Sequence, residues 1–388
     1  MDYKNAVLKQ KCESIIISPI VFLGKIYGLL SPLKKPVSAF LFSPSADLGG
    51  SIKVNADIAV CIKNKKPLII FTKKPKNNGF KKLFEGFDVM DLHKKIDNKI
   101  YHFVNIFFRG VLATWINKSD NAVIFGGECL YFYKVLPHLK KKVRRVELCH
   151  LATWLPYSIG FIDLISDRIF STIKLKEKII QQYQSNNIKQ ELYRRLHFIE
   201  NKIDIPAYHE IHNKNLEVIF VGRGAPQKRV HLIAAIAKEM HEKNYPAHFS
   251  FVGDVSNEIA IDEFQYCRFY GNVRDEELLN SIYENADVLV LTSSYEGLPV
   301  VVMQMMAYGK VVVSTAVNAI PDYIVHMQNG LLINSIEEND IVKEGIGLLS
   351  MLIENPGLKN ELGRKSRQIA IEKFNGQLFC KEFSKFFN

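Results

Sequence analysis

The chain has 388 residues, 47% of them hydrophobic and 23% charged, with a formal net charge of +11; this is enough apolar residue for a packed core and excludes a disordered or fibrous chain. Its length suits about two domains. The charge is lopsided: residues 1–200 carry 33 Lys and Arg against 16 Asp and Glu, net +17, and the remainder carries 18 against 24, net −6, which points to an anionic partner on the first half (lipid, anionic glycolipid or nucleic acid) or to a solvated basic face.

In chain order, the opening MDYKNAVLKQKCES lacks the pattern of a secretory leader, so a cytoplasmic location is expected. Ile15–Leu30 is apolar but interrupted by Pro19 and Lys25 and shorter than a membrane span; it reads as an interfacial segment or as one packed on the first domain. A strand is expected at Val37–Phe42, followed by the loop SPSADLGGS, a helix at Asn55–Lys63 and a strand at Pro67–Thr72. Residues 100–116 have helical spacing, and Phe103, Phe107 and Phe108 there suit a core or, with the basic clusters 73–76, 81–82 and 140–145, a membrane-facing patch. Strands follow at Ala122–Phe125, Val146–Cys149 and Arg168–Thr172, the first ending at Gly126 and Gly127 and the second at His150.

After a polar linker at Asn201–Asn215, the alternation resumes. Strands are expected at Leu216–Val221, Ala247–Val252, Cys267–Tyr270, Val288–Thr292, Lys310–Ser314 and Gly330–Ile333. Helices are expected at His231–Glu242, Glu276–Asn285, Pro299–Tyr308, Asp340–Glu354 and Glu361–Phe374. Strands alternating with helices mean parallel sheets covered on both faces, whose ligands sit at the carboxyl ends of the strands. The expected domains are 1–205 with an N-terminal extension 1–36, and 206–373, with 374–388 returning to the first. The six cysteines form no C-x-x-C pair and there is no zinc-spaced histidine cluster, so reduced core thiols are expected.

The richest stretch is TSSYEGLPVVVMQMMAYGK, residues 292–310. A strand runs into a turn holding Glu296 and Gly297, and Pro299 opens a helix. Gly297 allows close backbone approach to a ligand, and the free N–H groups of the helix start suit a phosphate. Glu296 and Gln304 lie about two helical turns apart, on a shared face. A second stretch, VGRGAPQKR at 221–229, also joins a strand to a helix and supplies Gly222, Arg223 and Lys228. Two cations placed there would stabilise a leaving diphosphate without a metal, and no D-x-D motif suited to a divalent ion stands out.

These two stretches resemble the retaining glycosyltransferases of the glycosyltransferase family 4 type, whose signature is two glutamates separated by seven residues in an E-G-[FL]-P context. Glu296, Gly297, Leu298, Pro299 and Val300 match that context, and Gln304 stands where the second glutamate would be. The match continues through Ala307, Gly309, Ile320-Pro321 and Asn329-Gly330, and is looser in the first half. The resemblance implies a GT-B fold, two doubly wound Rossmann-like α/β domains facing across a cleft, and a hexosyltransferase. It assigns Arg223 and Lys228 to the donor diphosphate, Glu296 to the donor sugar, and Gln304 to the ribose without charge assistance. Gly253 falls in its V-G-x-G turn, Asn272 and Val273 in the segment that lines its base pocket, Gly50 in its glycine loop, and His150 at the strand end that reaches the donor sugar. Arg168 falls in a weakly matching strand, and Arg229 where the family often has glycine.

The expected partners are therefore a nucleotide-sugar donor and a glycan or lipid-linked acceptor. An anionic membrane reached through the first domain is expected too, on the inner face of the plasma membrane, with no cofactor, no metal and no nucleic acid. Gln304 motivates a second reading, a catalytically silent partner subunit; a nucleotide-sugar epimerase of the same fold is a third.

Overall fold

The computed structural model describes residues 2–97, 102–296 and 298–388, with the backbone alone at residue 153. The chain divides into two compact units, residues 1–201 with 377–388, and residues 202–376. The expected breaks at 206 and 374 differ by a few residues. Ile203 N–H donates to the Phe374 carbonyl (3.2 Å), which ties the start of the second unit to its end. The expected linker is no free tether: Arg367 donates to the Pro206 carbonyl (2.7 Å) and lies over the Tyr208 ring.

The first unit opens with two helices, α1 (Tyr3–Ile16) and α2 (Ser18–Leu30). Its strands are β1 (Ala39–Ser43), β2 (Leu68–Phe71), β3 (Asp88–Asp91), β4 (Val123–Gly126), β5 (Arg144–Cys149), β6 (Asp167–Phe170) and β7 (Leu196–Phe198). They form one parallel sheet in the order β3-β2-β1-β4-β5-β6-β7. Helix α3 (Gly50–Cys61) follows β1, the short α4 (His93–Ile96) follows β3, and α5 (His102–Lys118) precedes β4. Then come α6 (Leu130–Val135), α7 (Leu155–Ser158) and α8 (Ile173–Ser185). The central strands read as unbroken apolar runs, AFLFS and LIIF, because both faces of a parallel sheet are covered.

The second unit repeats the plan. Strands β8 (Leu216–Val221), β9 (Ala247–Val252), β10 (Arg268–Gly271), β11 (Val288–Leu291), β12 (Val311–Thr315) and β13 (Leu331–Ile333) pair in the order β10-β9-β8-β11-β12-β13. Between and after them run α9 (Val230–Glu242), α10 (Glu276–Asn285), α11 (Val300–Ala307), α12 (Glu338–Glu354) and α13 (Pro356–Lys373). In each sheet the strand order reverses beside the first strand, and at that reversal the connections leave on opposite faces and open a crevice. The loops after β1 and β4, and after β8 and β11, end there.

Four expectations need correction. Helix α3 begins at Gly50 rather than 55: Ile52 and Lys53 N–H both donate to the Gly49 carbonyl (3.1 Å each), so the glycine pair is the helix start itself. Strands β3 and β7 and helix α8 were not among the expected elements; β3 is the short, acid-flanked edge DVMD, whereas α8 has Leu175, Ile179 and Tyr183 at helical spacing behind the N-cap Thr172. The basic run 140–145 is not wholly solvated, since Arg144 pairs with Asp167 (2.8 Å) and Arg145 donates to the Leu139 and Lys140 carbonyls (3.1 and 2.7 Å). Finally, Cys61 and Cys380 are joined in a disulfide. The last helix, α14 (Gly376–Ser384), carries Cys380, and the Phe379, Phe383, Phe386 and Phe387 side chains pack in one core with Ile58 and Ile62 of the α3 region. A separation of 319 residues hid this pairing.

Candidate functional site

In the second unit the β8–α9 and β11–α11 loops are laced together at the sheet's reversal point. Ser294 N–H donates to the Gln227 carbonyl (2.8 Å) and Gln227 Nε2 to the Tyr295 carbonyl (2.7 Å). Thr292 Oγ1 donates toward the Lys228 and Arg229 carbonyls (3.2 and 2.9 Å). Arg229 has φ +45°, the left-handed conformation for which glycine is the usual residue and which costs other residues about 1–2 kcal/mol. Its guanidinium offsets that cost by donating to the carbonyls of Thr292 (2.7 Å) and Ser293 (3.1 Å). The turn therefore keeps a glycine-like shape without glycine.

Within this frame the structure brings together two of the expected residues: Lys228 Nζ is ion-paired with the Glu296 carboxylate. The same carboxylate oxygen accepts from Ser293 Oγ (2.7 Å), and Thr315 Oγ1 at the end of β12 donates to the Ser293 carbonyl (2.7 Å). Glu296 is buried and Lys228 half-buried, so the carboxylate is held in one orientation at low dielectric, where such contacts are strong. Arg223, in the same β8–α9 loop, is exposed and has no ion pair among the described residues. Gly297 lies outside the described residues. Leu298 is buried. Pro299 proves to be the N-cap of α11 rather than its first residue, so Val300 opens the helix. Val302 N–H already donates to the Pro299 carbonyl (3.0 Å), so the amides of Val300 and Val301 are the ones of that first turn without an intrahelical acceptor.

Gln304 is tied to the neighbouring helix: its Oε1 accepts from Tyr283 Oη (3.2 Å), one of the two hydrogen bonds an amide oxygen can take, and its amide N–H groups are donors. The glycine turns pack backbone to backbone. Gly253 has φ +118°, a Cβ there would overlap the Gly222 carbonyl, and its N–H donates to the Gly271 carbonyl (2.7 Å). Asn272 is exposed just beyond, and Val273 is half-buried against the core.

In the first unit, Gly50 opens α3 after β1, and His150 follows β5. The His150 Nε2 is shielded from water with no hydrogen-bond partner among the described residues, and burial pushes its pKa down to about 4. The residue that holds it follows the Gly126-Gly127 pair, and the sequence offers it as a carboxylate that could face the cleft without singling it out. Glu128, just after β4, has φ +51°, and its Oε1 accepts the N–H groups of both His150 (2.9 Å) and Leu151 (2.8 Å). Burial raises the Glu128 carboxyl to about 7, with the Glu147 charge adding and the two N–H donors opposing. The available signal was a non-glycine after the strand-ending pair Gly126-Gly127. Arg168, by contrast, is a fully buried structural group: it pairs with Glu147 and donates to Tyr183 Oη (2.9 Å) and Ser158 Oγ (2.8 Å).

Residues 215–351 match the family model described as "Glycosyl transferases group 1". The chain is 24% identical over 209 residues to the capsular polysaccharide biosynthesis glycosyltransferase CapM of Staphylococcus aureus, covering 53% of each. It is 25% identical over 271 residues to an uncharacterized 41.2 kDa protein in the cps region of Klebsiella pneumoniae, covering 67% of this chain and 69% of that one. The chain thus spans about half the length of CapM. In fold it is similar to Anabaena HepE, solved in complex with UDP-glucose: TM-score 0.69 and 15% identity, covering 89% of this chain and 98% of that one. Residues 215–351 are thus a group 1 glycosyltransferase domain, carried in a chain with the two-sheet GT-B fold of these glycosyltransferases.

Proposed function

We propose that the protein is a retaining glycosyltransferase that moves a hexose-type sugar from a nucleotide diphosphate sugar to a surface-glycan or glycolipid precursor. The observation that carries this is the Lys228–Glu296 pair, fixed by Ser293 at the reversal point of the second sheet beside the α11 amides. In the reaction the bond from the anomeric carbon to the leaving phosphate oxygen breaks and a bond to the acceptor oxygen forms on the same face; the acceptor proton passes to the leaving phosphate oxygen. Arg223, Lys228 and the α11 amides meet the charge that grows on the diphosphate, so the transfer needs no divalent cation. Glu296 contacts the ring hydroxyls of the donor sugar. Gly222, Gly253, Asn272 and Val273 line the base and phosphate turns; the first unit takes the acceptor, with Gly50 in the glycine loop and His150 as the residue proposed for the donor sugar. The net positive charge of the first unit supports an anionic membrane partner for it, on the cytoplasmic side in this reading.

A thermal-shift panel of nucleoside diphosphates and their sugars tests this, starting with UDP-glucose, the ligand of the HepE complex. Ligand at about 100 times its dissociation constant stabilises by about 2.7 kcal/mol. A selective shift with slow donor hydrolysis supports the reading; no shift with any nucleotide defeats it. The Tyr283 hold on Gln304 favours one second reading, a silent partner subunit, whose mark is a nucleotide shift with no hydrolysis and no transfer.

A further inference from the structure

Among the described residues no single helix is long and apolar enough to cross a membrane, but α1 and α2 together form an apolar pair bent by 62°. The inner faces of this pair are built into the first unit. Gly24 and Gly28 of α2 and Gly110 of α5 let the two helices meet backbone to backbone: a Cβ at Gly24 would overlap the Phe107 carbonyl, and one at Gly110 the Val21 carbonyl. Thr114 Oγ1 donates to the Lys25 carbonyl (3.3 Å) and Trp115 Nε1 to the Ser31 carbonyl (2.8 Å). On α1, Glu13 turns inward to Arg109 (3.1 Å) and Lys134 (2.6 Å), and Tyr3 Oη donates to Asp163 (2.6 Å). The pair is thus a fixed part of the fold, and what it leaves outside is specified.

What it leaves outside is apolar. Phe22, Leu23, Ile26, Leu29 and Leu30 of α2 are all exposed, Leu30 at 80% and Phe22 at 61%. Scattered apolar side chains on a surface are ordinary; five within nine residues of one helix face mark an interaction site. On α1, the exposed Lys4, Leu8, Lys11 and Ile15 follow one another at helical spacing, mixing cations with aliphatics, and Lys34 and Lys35 follow α2. The segment's two acids are Asp2 and the inward-turned Glu13. An apolar face fringed by lysines complements an anionic lipid leaflet. A symmetric second copy would instead set the same lysines against one another. At 13 residues, α2 is about 20 Å long, too short to span the hydrocarbon core.

We infer that α1 and α2 form a rigid wedge by which this chain docks on one leaflet of an anionic bilayer, with Phe22, Ile26 and Leu30 entering the acyl boundary and Lys4 and Lys11 lying among the headgroups. This rests on the reading of the acceptor as lipid-linked and names the surface that reaches it.

The test is flotation of the full chain with vesicles of phosphatidylcholine alone or with about a third phosphatidylglycerol, at low and high salt. Wild type floats with the anionic vesicles and loses most of that binding in high salt. The triple variant Phe22→Ser, Ile26→Ser, Leu30→Ser drops the partition at least about ten-fold, with a melting temperature close to that of wild type because Phe22 and Leu30 are mostly exposed and Ile26 is 39% exposed. Lys4→Glu with Lys11→Glu weakens binding to anionic vesicles alone. The inference is overturned if wild type fails to float at low salt, if the triple variant floats as well as wild type, or if wild type is a dimer that the triple variant makes monomeric. Flotation reads no sugar chemistry, so its failure leaves the donor site standing, and a failed donor shift leaves the wedge standing.

Discussion

At the scale of single residues, Glu296 and Glu128 are two carboxylates under opposite influences. Glu296 is held by a cation and a hydroxyl, the arrangement on which its proposed contact with the donor sugar rests. Glu296→Ala is expected to lower kcat about 10²- to 10³-fold while nucleotide binding persists, measured by donor turnover and thermal shift; an unchanged rate removes Glu296 from the mechanism. Glu128 is held by two peptide N–H groups in a poorly hydrated place, and its pKa is raised to about 7. A carboxyl whose folded pKa lies above its unfolded value is stabilising while protonated, and that contribution is lost as pH rises from about 4.5 to about 7. Glu128→Gln keeps the acceptor oxygen and removes the charge. It should therefore gain stability relative to wild type as pH rises through that window, by roughly 1–3 kcal/mol; urea titrations at pH 5 and pH 8 measure it, and a difference flat with pH refutes it. Glu296 was legible because its neighbours in sequence carry the E-G-L-P pattern. Glu128 was not, because its meaning lies in the His150 and Leu151 amides just beyond the end of β5.

At the scale of elements, α14 leaves the second unit at Gly376 and is pinned to α3 by Cys61–Cys380 as well as by its phenylalanines. Cross-links over long loops typically add about 2–4 kcal/mol. Reduction of wild type, or Cys61→Ser, should lower the unfolding free energy from urea titration by about that amount and the midpoint with it, and reductant should leave the variant unchanged. Equal midpoints would mean that packing alone holds α14, as it would in a reducing compartment. Cysteine spacing could not reveal this pair, because only docking brings α14 to α3. The parallel strands were legible for the opposite reason: a strand covered on both faces is written as a local apolar run. The edge strand β3, in which only Met90 is half-buried against the core, left no such record.

At the scale of the whole molecule, each unit has its own sheet and its own core. Two calorimetric transitions are expected, and a bound nucleotide should raise one of them; a single transition that moves as a whole would show the units unfold cooperatively. The charge division follows the same line, the basic first unit bearing the lysine-fringed α1–α2 face and the acidic second unit the Lys228–Glu296 site.

The sequence by itself determined the alternation of strands and helices, the two-unit plan and the loop positions of Glu296, Lys228, Arg223 and His150, because periodicity and motif spacing are local properties. Only the tertiary structure decided that Lys228 pairs with Glu296, that Gln304 gives its oxygen to Tyr283, that Arg229 holds a glycine-like turn and that Cys61 meets Cys380. It likewise turned one face of Ile15–Leu30 inward on Gly110 and left the other exposed. Each of these joins residues distant in the chain, and such a contact exists only once the sheets and helices have packed.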